Sequence, residues 1–367
     1  MLFEKVKKNF GFGFMRLPMD GEQVDYTQVN EMVDTFLEEG FNYFDTAHGY
    51  LDGKSEIAIR ECLVKRYPRD SFVLADKLSP WYYNAEEEIR PLFQKQLEAC
   101  GVDFFDVYLF HCMNQELYQK NIRCNSFEIV KQLKEEGKIG HIAMSFHDTA
   151  DVLDKILTEQ PMIEYVQLQF NYLDYDDPGV QSRACYDVCM KHGKKVLVME
   201  PVKGGNLVNL PKEAKELLRA NSKDSEAAFA IRFAASFPNI EMVLSGMGNM
   251  DMLRDNVSAM KEFVPLSEEE FALSEKLRSQ IRAVRQISCT ACRYCVDNCP
   301  QKIQIPDVFS VYNKHLAAES AWKETKVILQ EQHANVKDCI QCGACEKYCP
   351  QNIHIKETMK LLGEAMD

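Results

Sequence analysis

Eight of the fourteen cysteines in this 367-residue chain fall in two runs towards its C-terminal end, and the two runs share one spacing. Cys289, Cys292, Cys295 and Cys299 are followed by Pro300; Cys339, Cys342, Cys345 and Cys349 are followed by Pro350. The pattern C-x2-C-x2-C-x3-C-P lets three thiolates of a tight loop hold three corners of a [4Fe–4S] cube, with the fourth ligand supplied by the other run. The spacing therefore predicts one cluster on Cys289, Cys292, Cys295 and Cys349, and a second on Cys339, Cys342, Cys345 and Cys299. A zinc ribbon is the competing use of such residues, but it needs only two C-x2-C pairs. It leaves the third cysteine and the Cys-Pro ending of both runs unexplained. Thiolate softness suits both metals and does not separate them.

Ahead of these runs the sequence has a different rhythm. Short β-rich stretches alternate with helical patterns, the signature of βα units around a parallel sheet. Eight strands are expected: about Gly11 to Met15, Asn42 to Asp45, Phe72 to Lys77, Asp106 to His111, His141 to Ser145, Tyr165 to Gln169, Val196 to Met199 and Met242 to Gly246. The helical stretch TQVNEMVDTFLEEG carries Val29, Met32, Val33, Phe36 and Leu37 on one face before Gly40 ends it. Eight such repeats fit a (β/α)8 TIM barrel over residues 1–265; a doubly wound open sheet is the structural alternative. Ser267 and Glu270 form a capping box opening a connecting helix over 266–288. Residues 289–367 are then a small helical ferredoxin-like domain for the two clusters.

Composition narrows the partners. With 46% hydrophobic and 27% charged residues the chain can bury a sizeable core. A net charge of −13 argues against nucleic acid or an anionic membrane, both of which need clustered Lys and Arg. No stretch approaches a spanning helix, and no apolar run follows the basic residues of the start. A cytoplasmic location follows, where cysteines bind metal or stay reduced.

Four polar residues lie at or just beyond the C-terminal ends of successive expected strands, where barrel enzymes place catalytic groups. They are Asp45 and Tyr50 in FNYFDTAHGYLDGKSE, Lys77 in LADKL and His111 in DVYLFH. With VQLQFNYLD these motifs resemble, in order, the aldo-keto reductase superfamily, and the cysteine runs resemble bacterial two-cluster ferredoxins. Together they resemble the iron–sulfur branch of that superfamily. The resemblance implies a catalytic tetrad of Asp45, Tyr50, Lys77 and His111. Tyr50 would donate a proton to the carbonyl oxygen, Lys77 held by Asp45 would make that phenol more acidic, and His111 would orient the carbonyl.

The same resemblance implies NADP or NAD as cofactor, with contacts from Gly13, Phe14 and Met15 at the end of the first strand. Ser145 and Gln167 would bind the carboxamide, and Met199 lies where an aromatic ring usually stacks on the nicotinamide. Pro201 and Lys203 would lie along the pyrophosphate, and Gly246, Met247, Asp255 and Asn256 around the adenosine end. Phe146 stands where the family usually has Asn, and Met252 where an Arg often grips the 2′-phosphate, so a preference for NADP does not follow. The implied function is hydride transfer between a nicotinamide and a small carbonyl or alcohol substrate, with the clusters exchanging electrons with a one-electron carrier. Nicotinamide passes two electrons and a cluster one, and no flavin motif bridges them. Two alternatives stay open: an electron-transfer module whose barrel binds a flavin or other cofactor, and a nucleotide-sensing redox protein.

Overall fold

Barrel closure begins with strand phase. In a computed structural model of the chain, which describes residues 5–284, 287–315 and 336–365, eight parallel strands pair in sequence order and the first closes on the last. They are β1 (Phe10–Gly13), β2 (Tyr43–Asp45), β3 (Val73–Leu78), β4 (Phe105–Met113), β5 (Ile139–Phe146), β6 (Tyr165–Gln169), β7 (Lys195–Met199) and β8 (Ile240–Gly246). Gly13 stands opposite both Asp45 of β2 and Gly246 of β8, so the seam is continuous. The expected barrel is therefore the observed one, and the open sheet is not formed.

Alternate residues fill the interior. Tyr43, Val73, Ala75, Val107, Leu109, Ala143, Leu197, Met242 and Leu244 pack into one cluster. Gly11 contributes space: a Cβ there would lie 2.6 Å from Leu244 Cδ2 and 2.8 Å from Tyr43 Cδ1. Because side chains alternate across a strand, Asp45, Lys77, His111, Ser145, Gln167 and Met199 continue this inward face to the C-terminal mouth. The outward face binds helices. Phe10, Phe12 and Phe44 meet Phe36 of α1 (Tyr26–Glu38) with centroids 5.4–6.1 Å apart, and Asp25 caps that helix by accepting from Gln28 N at 3.0 Å. Against β3 lie α2 (Lys54–Ile59) and α3 (Ile89–Cys100).

The first strand is shorter than expected. It stops at Gly13, and Phe14–Arg16 form a 3-10 turn whose Phe14 carbonyl accepts from Ser55 Oγ at 2.9 Å instead of joining a ladder. The capping box forms in both directions, Ser267 N to Glu270 Oε2 and Glu270 N to Ser267 Oγ. The helix it opens runs over Glu268–Ala283; residues 285–286 of the expected 266–288 connection lie outside the described residues.

The chain divides into two compact units, residues 1–202 with 222–274, and residues 203–221 with 275–367. Within the second unit the two cysteine runs repeat each other in backbone as well as sequence. Ala291, Arg293 and Lys302 have positive φ, as do Gln341, Gly343 and Asn352 at matching places. Each run leads through Cys-Pro-Gln to a helix beginning at Ile305 or Ile355, and these helices share a core of Ile303, Ile305, Val308, Phe309, Ile355, Met359 and Leu362. The segment 203–221 joins this unit through specific contacts. Asn206 Nδ2 donates to the Cys289 carbonyl at 3.0 Å, Lys203 Nζ donates to Gln351 Oε1 at 2.9 Å, and a Cβ on Gly204 would lie 2.5 Å from the Thr290 carbonyl oxygen.

Candidate active site and cysteine centres

At the barrel mouth, Lys77 is buried among polar groups. It is 1% exposed, and its Nζ donates to Asp45 Oδ1 and to the Thr46 carbonyl, both at 2.6 Å. Burial works against the cation, but the charges of Asp45 and Tyr50 outweigh it and hold the lysine above its ordinary pKa. Burial likewise raises Asp45 although Lys77 pulls the other way. We read the pair as ionised, because two acceptors at 2.6 Å complement the charged ammonium.

Tyr50 reaches the same point from the loop after β2. Its ring centroid is 5.0 Å from Lys77 Nζ and 5.8 Å from the His111 ring, edge to face. The preceding Gly49 has φ +92 and is crowded by the Tyr82 side chain where a Cβ would be, so glycine is what lets the loop present Tyr50 here. His111 is 3% exposed. Burial, reinforced by Lys77 and His147, drives its pKa well below the usual histidine value, and the ring is neutral at physiological pH. Its Nδ1 is 2.8 Å from Ser79 Oγ, and Trp81 packs 5.3 Å from it. Ser79 and Trp81 were not singled out in the sequence. Their only signal is position, directly after the Lys77 strand.

The residues expected around a nicotinamide are more dispersed. Ser145, Gln167 and Gln169 lie buried on the inward face at the mouth, a row of hydroxyl and amide groups suited to a carboxamide. Ser145 Oγ accepts from Cys112 N at 2.8 Å, and Gln167 works with Lys77 against the burial that raises Asp45. Met199 ends β7 half-buried, and Pro201 is buried just beyond it. Gly13 and Gly246 are strand neighbours, Phe14 and Met247 are buried, and Met15 is half-buried. Asn256 Nδ2 donates to Ser245 Oγ at 3.0 Å, while Asp255 Oδ2 accepts from Ser225 Oγ at 2.6 Å. Lys203 belongs to the second unit, where it is 2% exposed and bonded to Gln351.

The eight cysteines of the second unit gather into two groups. Cys289, Cys292, Cys295 and Cys349 line one cavity; Cys299, Cys339, Cys342 and Cys345 line another. Each cavity thus takes three sulfurs from one run and one from the other. Four thiolates around one zinc would lie about 3.8 Å apart, given Zn–S bonds of about 2.3 Å. A [4Fe–4S] cube, which carries its four thiolates on four separate irons, takes three ligands from one run and one from the other, the division seen in each cavity. Burial, together with neighbouring thiols, pushes Cys295 up to about 12, and burial with Glu346 pushes Cys345 up to about 11. Such thiols ionise when a cationic centre takes their protons' place.

A closed parallel barrel with a Lys–Asp pair, a tyrosine and a neutral histidine at its C-terminal mouth, joined to a unit with two four-cysteine cavities, defines an oxidoreductase of barrel type with iron–sulfur centres. Family models agree: the aldo/keto reductase family matches residues 9–279, and a 4Fe-4S dicluster domain matches residues 288–354. The chain belongs to the aldo/keto reductase family. It is 28% identical over 195 residues to an NADH-specific methylglyoxal reductase of Escherichia coli, a match spanning 48% of this chain and 57% of that enzyme. L-Galactose dehydrogenase of Arabidopsis thaliana is 25% identical over 258 residues, 64% of this chain and 79% of the relative. Among solved structures, the holo form of an aldo-keto reductase from Bacillus halodurans superposes with a TM-score of 0.62 at 25% identity, over 73% of this chain and 91% of its own. A Klebsiella pneumoniae aldo-keto reductase in complex with NADPH shares the fold, with a TM-score of 0.61 at 18% identity over 79% and 99%. No helix among the described residues is long and apolar enough to cross a membrane.

Proposed function

We propose that the barrel transfers hydride between a nicotinamide and a small carbonyl or alcohol, and that two [4Fe–4S] clusters in the second unit exchange single electrons with a carrier. The observation that carries the first part is the Lys77 ammonium, fixed by Asp45 and facing the Tyr50 ring beside a neutral His111. A bound nicotinamide supplies or accepts the hydride. This chain's residues handle the proton and the oxygen: Tyr50 gives its phenolic proton to the developing alkoxide, and Lys77 stabilises the phenolate left behind. His111 orients the carbonyl through Nε2–H. That tautomer requires Ser79 to donate its single hydroxyl proton to Nδ1, in preference to the His48 carbonyl 3.2 Å away.

Ser145 and Gln167 are the proposed carboxamide partners, with Gly13, Phe14, Met15 and Met199 around the ring and Gly246, Met247, Asp255 and Asn256 at the adenosine end. Pro201 and Lys203 are proposed on the pyrophosphate path, although Lys203 donates to Gln351 in this structure. One relative is named for NADH and one neighbour was solved with NADPH. Met252, half exposed and uncharged, favours little discrimination between the two. Anaerobic oxidation of NADH and NADPH against a panel of carbonyls tests the reading. Turnover with either cofactor, within about tenfold of each other, is expected; no turnover together with a bound flavin would support the electron-transfer alternative.

A further inference from the structure

Lys77 is fixed at its side chain by Asp45, but its peptide is also gripped, from the other side of the barrel wall. Strand alternation sends Lys77 inward and Asp76 outward, between β3 and the helices α2 and α3. There Asp76 Oδ1 accepts from the Lys77 backbone N–H at 2.7 Å, and Gln96 Nε2 of α3 donates to the Lys77 carbonyl at 3.0 Å. Gln96 is itself held, since its Oε1 accepts from the Tyr108 hydroxyl of β4 at 2.5 Å. Both backbone polar groups of the buried lysine are therefore bound by side chains that never face the barrel interior.

The grip contains a charge problem. Glu56 of α2 and Asp76 are 1% and 0% exposed, and their carboxyl oxygens lie within 4.8 Å of each other. Two carboxylates in contact without water cannot both ionise, so the pair keeps one proton between them. Burial raises Glu56 to about 7, and burial with the Glu56 charge raises Asp76 well above the ordinary carboxyl range. The surroundings do not neutralise a second charge. Cys100 of α3 lies with Sγ 3.8 Å from Asp76 Oδ2 and is itself held protonated by burial and by Asp76 and Glu56. Tyr108 is likewise raised, and the cations that act here are Lys77 on β3, Arg60 one turn beyond Glu56, and Lys95 on α3, felt by His48. His48 Nδ1 is 2.9 Å from Glu56 Oε2. Its ring is 22% exposed, which gives the shared proton a way to solvent.

We propose that Glu56 and Asp76 are positioning residues for the tetrad: a one-proton carboxyl pair outside the barrel that grips the Lys77 peptide and loosens that grip when the proton leaves through His48. This rests on the hydride-transfer reading given above. Protonated once, the pair leaves Asp76 Oδ1 free to accept from Lys77 N–H while its other oxygen shares the proton with Glu56. Deprotonated, the two carboxylates repel, Asp76 swings from the strand, and Lys77 loses the register that sets it against Tyr50. The rate of hydride transfer then falls as pH rises past neutrality, for a reason unrelated to any group that touches substrate.

Two measurements on the full holoprotein decide this. An infrared titration should show one buried carboxylic-acid C=O band that persists through neutrality, because the Glu56 charge holds the last proton on Asp76, and fades at alkaline pH, and the band should vanish in Glu56→Gln and in Asp76→Asn. In pre-steady-state pH profiles, either amide imitates the protonated pair, so each should remove the fall in rate above neutrality, whereas Asp76→Ala should lower the rate about tenfold or more with nicotinamide affinity unchanged. A purely structural role would change rates without moving the profile. Absence of a titrating acid band, or an unaltered profile in both amide variants, overturns the proposal. Loss of the hydride-transfer reading shows up separately, as full activity of Tyr50→Phe, and leaves the infrared titration to decide whether the pair shares a proton.

Discussion

At the barrel mouth, Asp45, Lys77 and His111 come from three different strands, and each reaches its place only when the whole sheet has closed. In the second unit each cavity takes three of its four sulfurs from one short loop, 289–295 or 339–345, and only the fourth from a distant run. The barrel site therefore inherits its accuracy from global closure, and a change in its outer wall can be felt inside. The cysteine sites inherit theirs from local backbone turns, and their one long-range ligand is the point where they can be mispaired.

The largest expected effects follow from that single crossing ligand. Cys349→Ser and Cys295→Ser should each remove the same cluster and take the iron content from about eight to about four per chain. Iron analysis with electron paramagnetic resonance on each variant checks this. If Cys349→Ser instead removes the cluster of Cys339, Cys342 and Cys345, the crossed arrangement is wrong. The barrel counterpart is Lys77→Met, which should lower hydride transfer by roughly 10²–10⁴-fold while leaving the iron count unchanged. Single-turnover rates measured beside iron content separate the two units.

A smaller effect tests where the units divide. Gly204→Ala puts a Cβ on a backbone with φ +62 and against the Thr290 carbonyl, and should destabilise the second unit by about 1–3 kcal/mol. Cluster bleaching on heating should move to lower temperature while the far-ultraviolet melting of the barrel stays put. Equal shifts in both would tie residues 203–221 to the barrel instead. The mildest expectation belongs to the barrel's N-terminal face, where Glu164 binds Lys134, His141 and the Ile142 amide. Burial alone would raise this carboxyl, but His141, Lys134 and Ile142 outweigh it and bring it down to about 2. A lowered folded pKa contributes stability above the unfolded value of about 4.3, and that contribution is lost as pH falls from there towards about 2. Glu164→Gln should cost about 1–2 kcal/mol at pH 7 and almost nothing at pH 2 in denaturant titrations.

Much of this was legible because the relevant signals are local. Strands are readable to within a few residues from their β-rich runs, as at Tyr165–Gln169 and Lys195–Met199, and alternation alone brings Asp45, Lys77 and His111 to one end of one face. The cysteine spacing is an eleven-residue pattern, 289–299 and again 339–349, with a fixed chemistry. What could not be read depends on tertiary partners. Nothing in LADKL tells that Asp76 meets Glu56 or that Gln96 binds the Lys77 carbonyl, since those contacts are set by how α2 and α3 pack beside β3. Nor does PVKGGNL reveal that Lys203 bonds Gln351, a residue 148 positions away. β1 ends at Gly13, short of its apolar run, where Ser55, far along the chain, bonds the Phe14 carbonyl.

The most direct test of the barrel as a reductase is single-turnover hydride transfer in Tyr50→Phe. The substitution keeps the ring and its packing beside Lys77 and His111 while removing the one proposed proton donor. Loss of at least about a hundredfold in rate is expected, with nicotinamide affinity and iron content unchanged, and with little further loss in the Tyr50→Phe, Lys77→Met double variant because both residues serve one proton transfer. A Tyr50→Phe protein that retains most of the wild-type rate would contradict this mechanism.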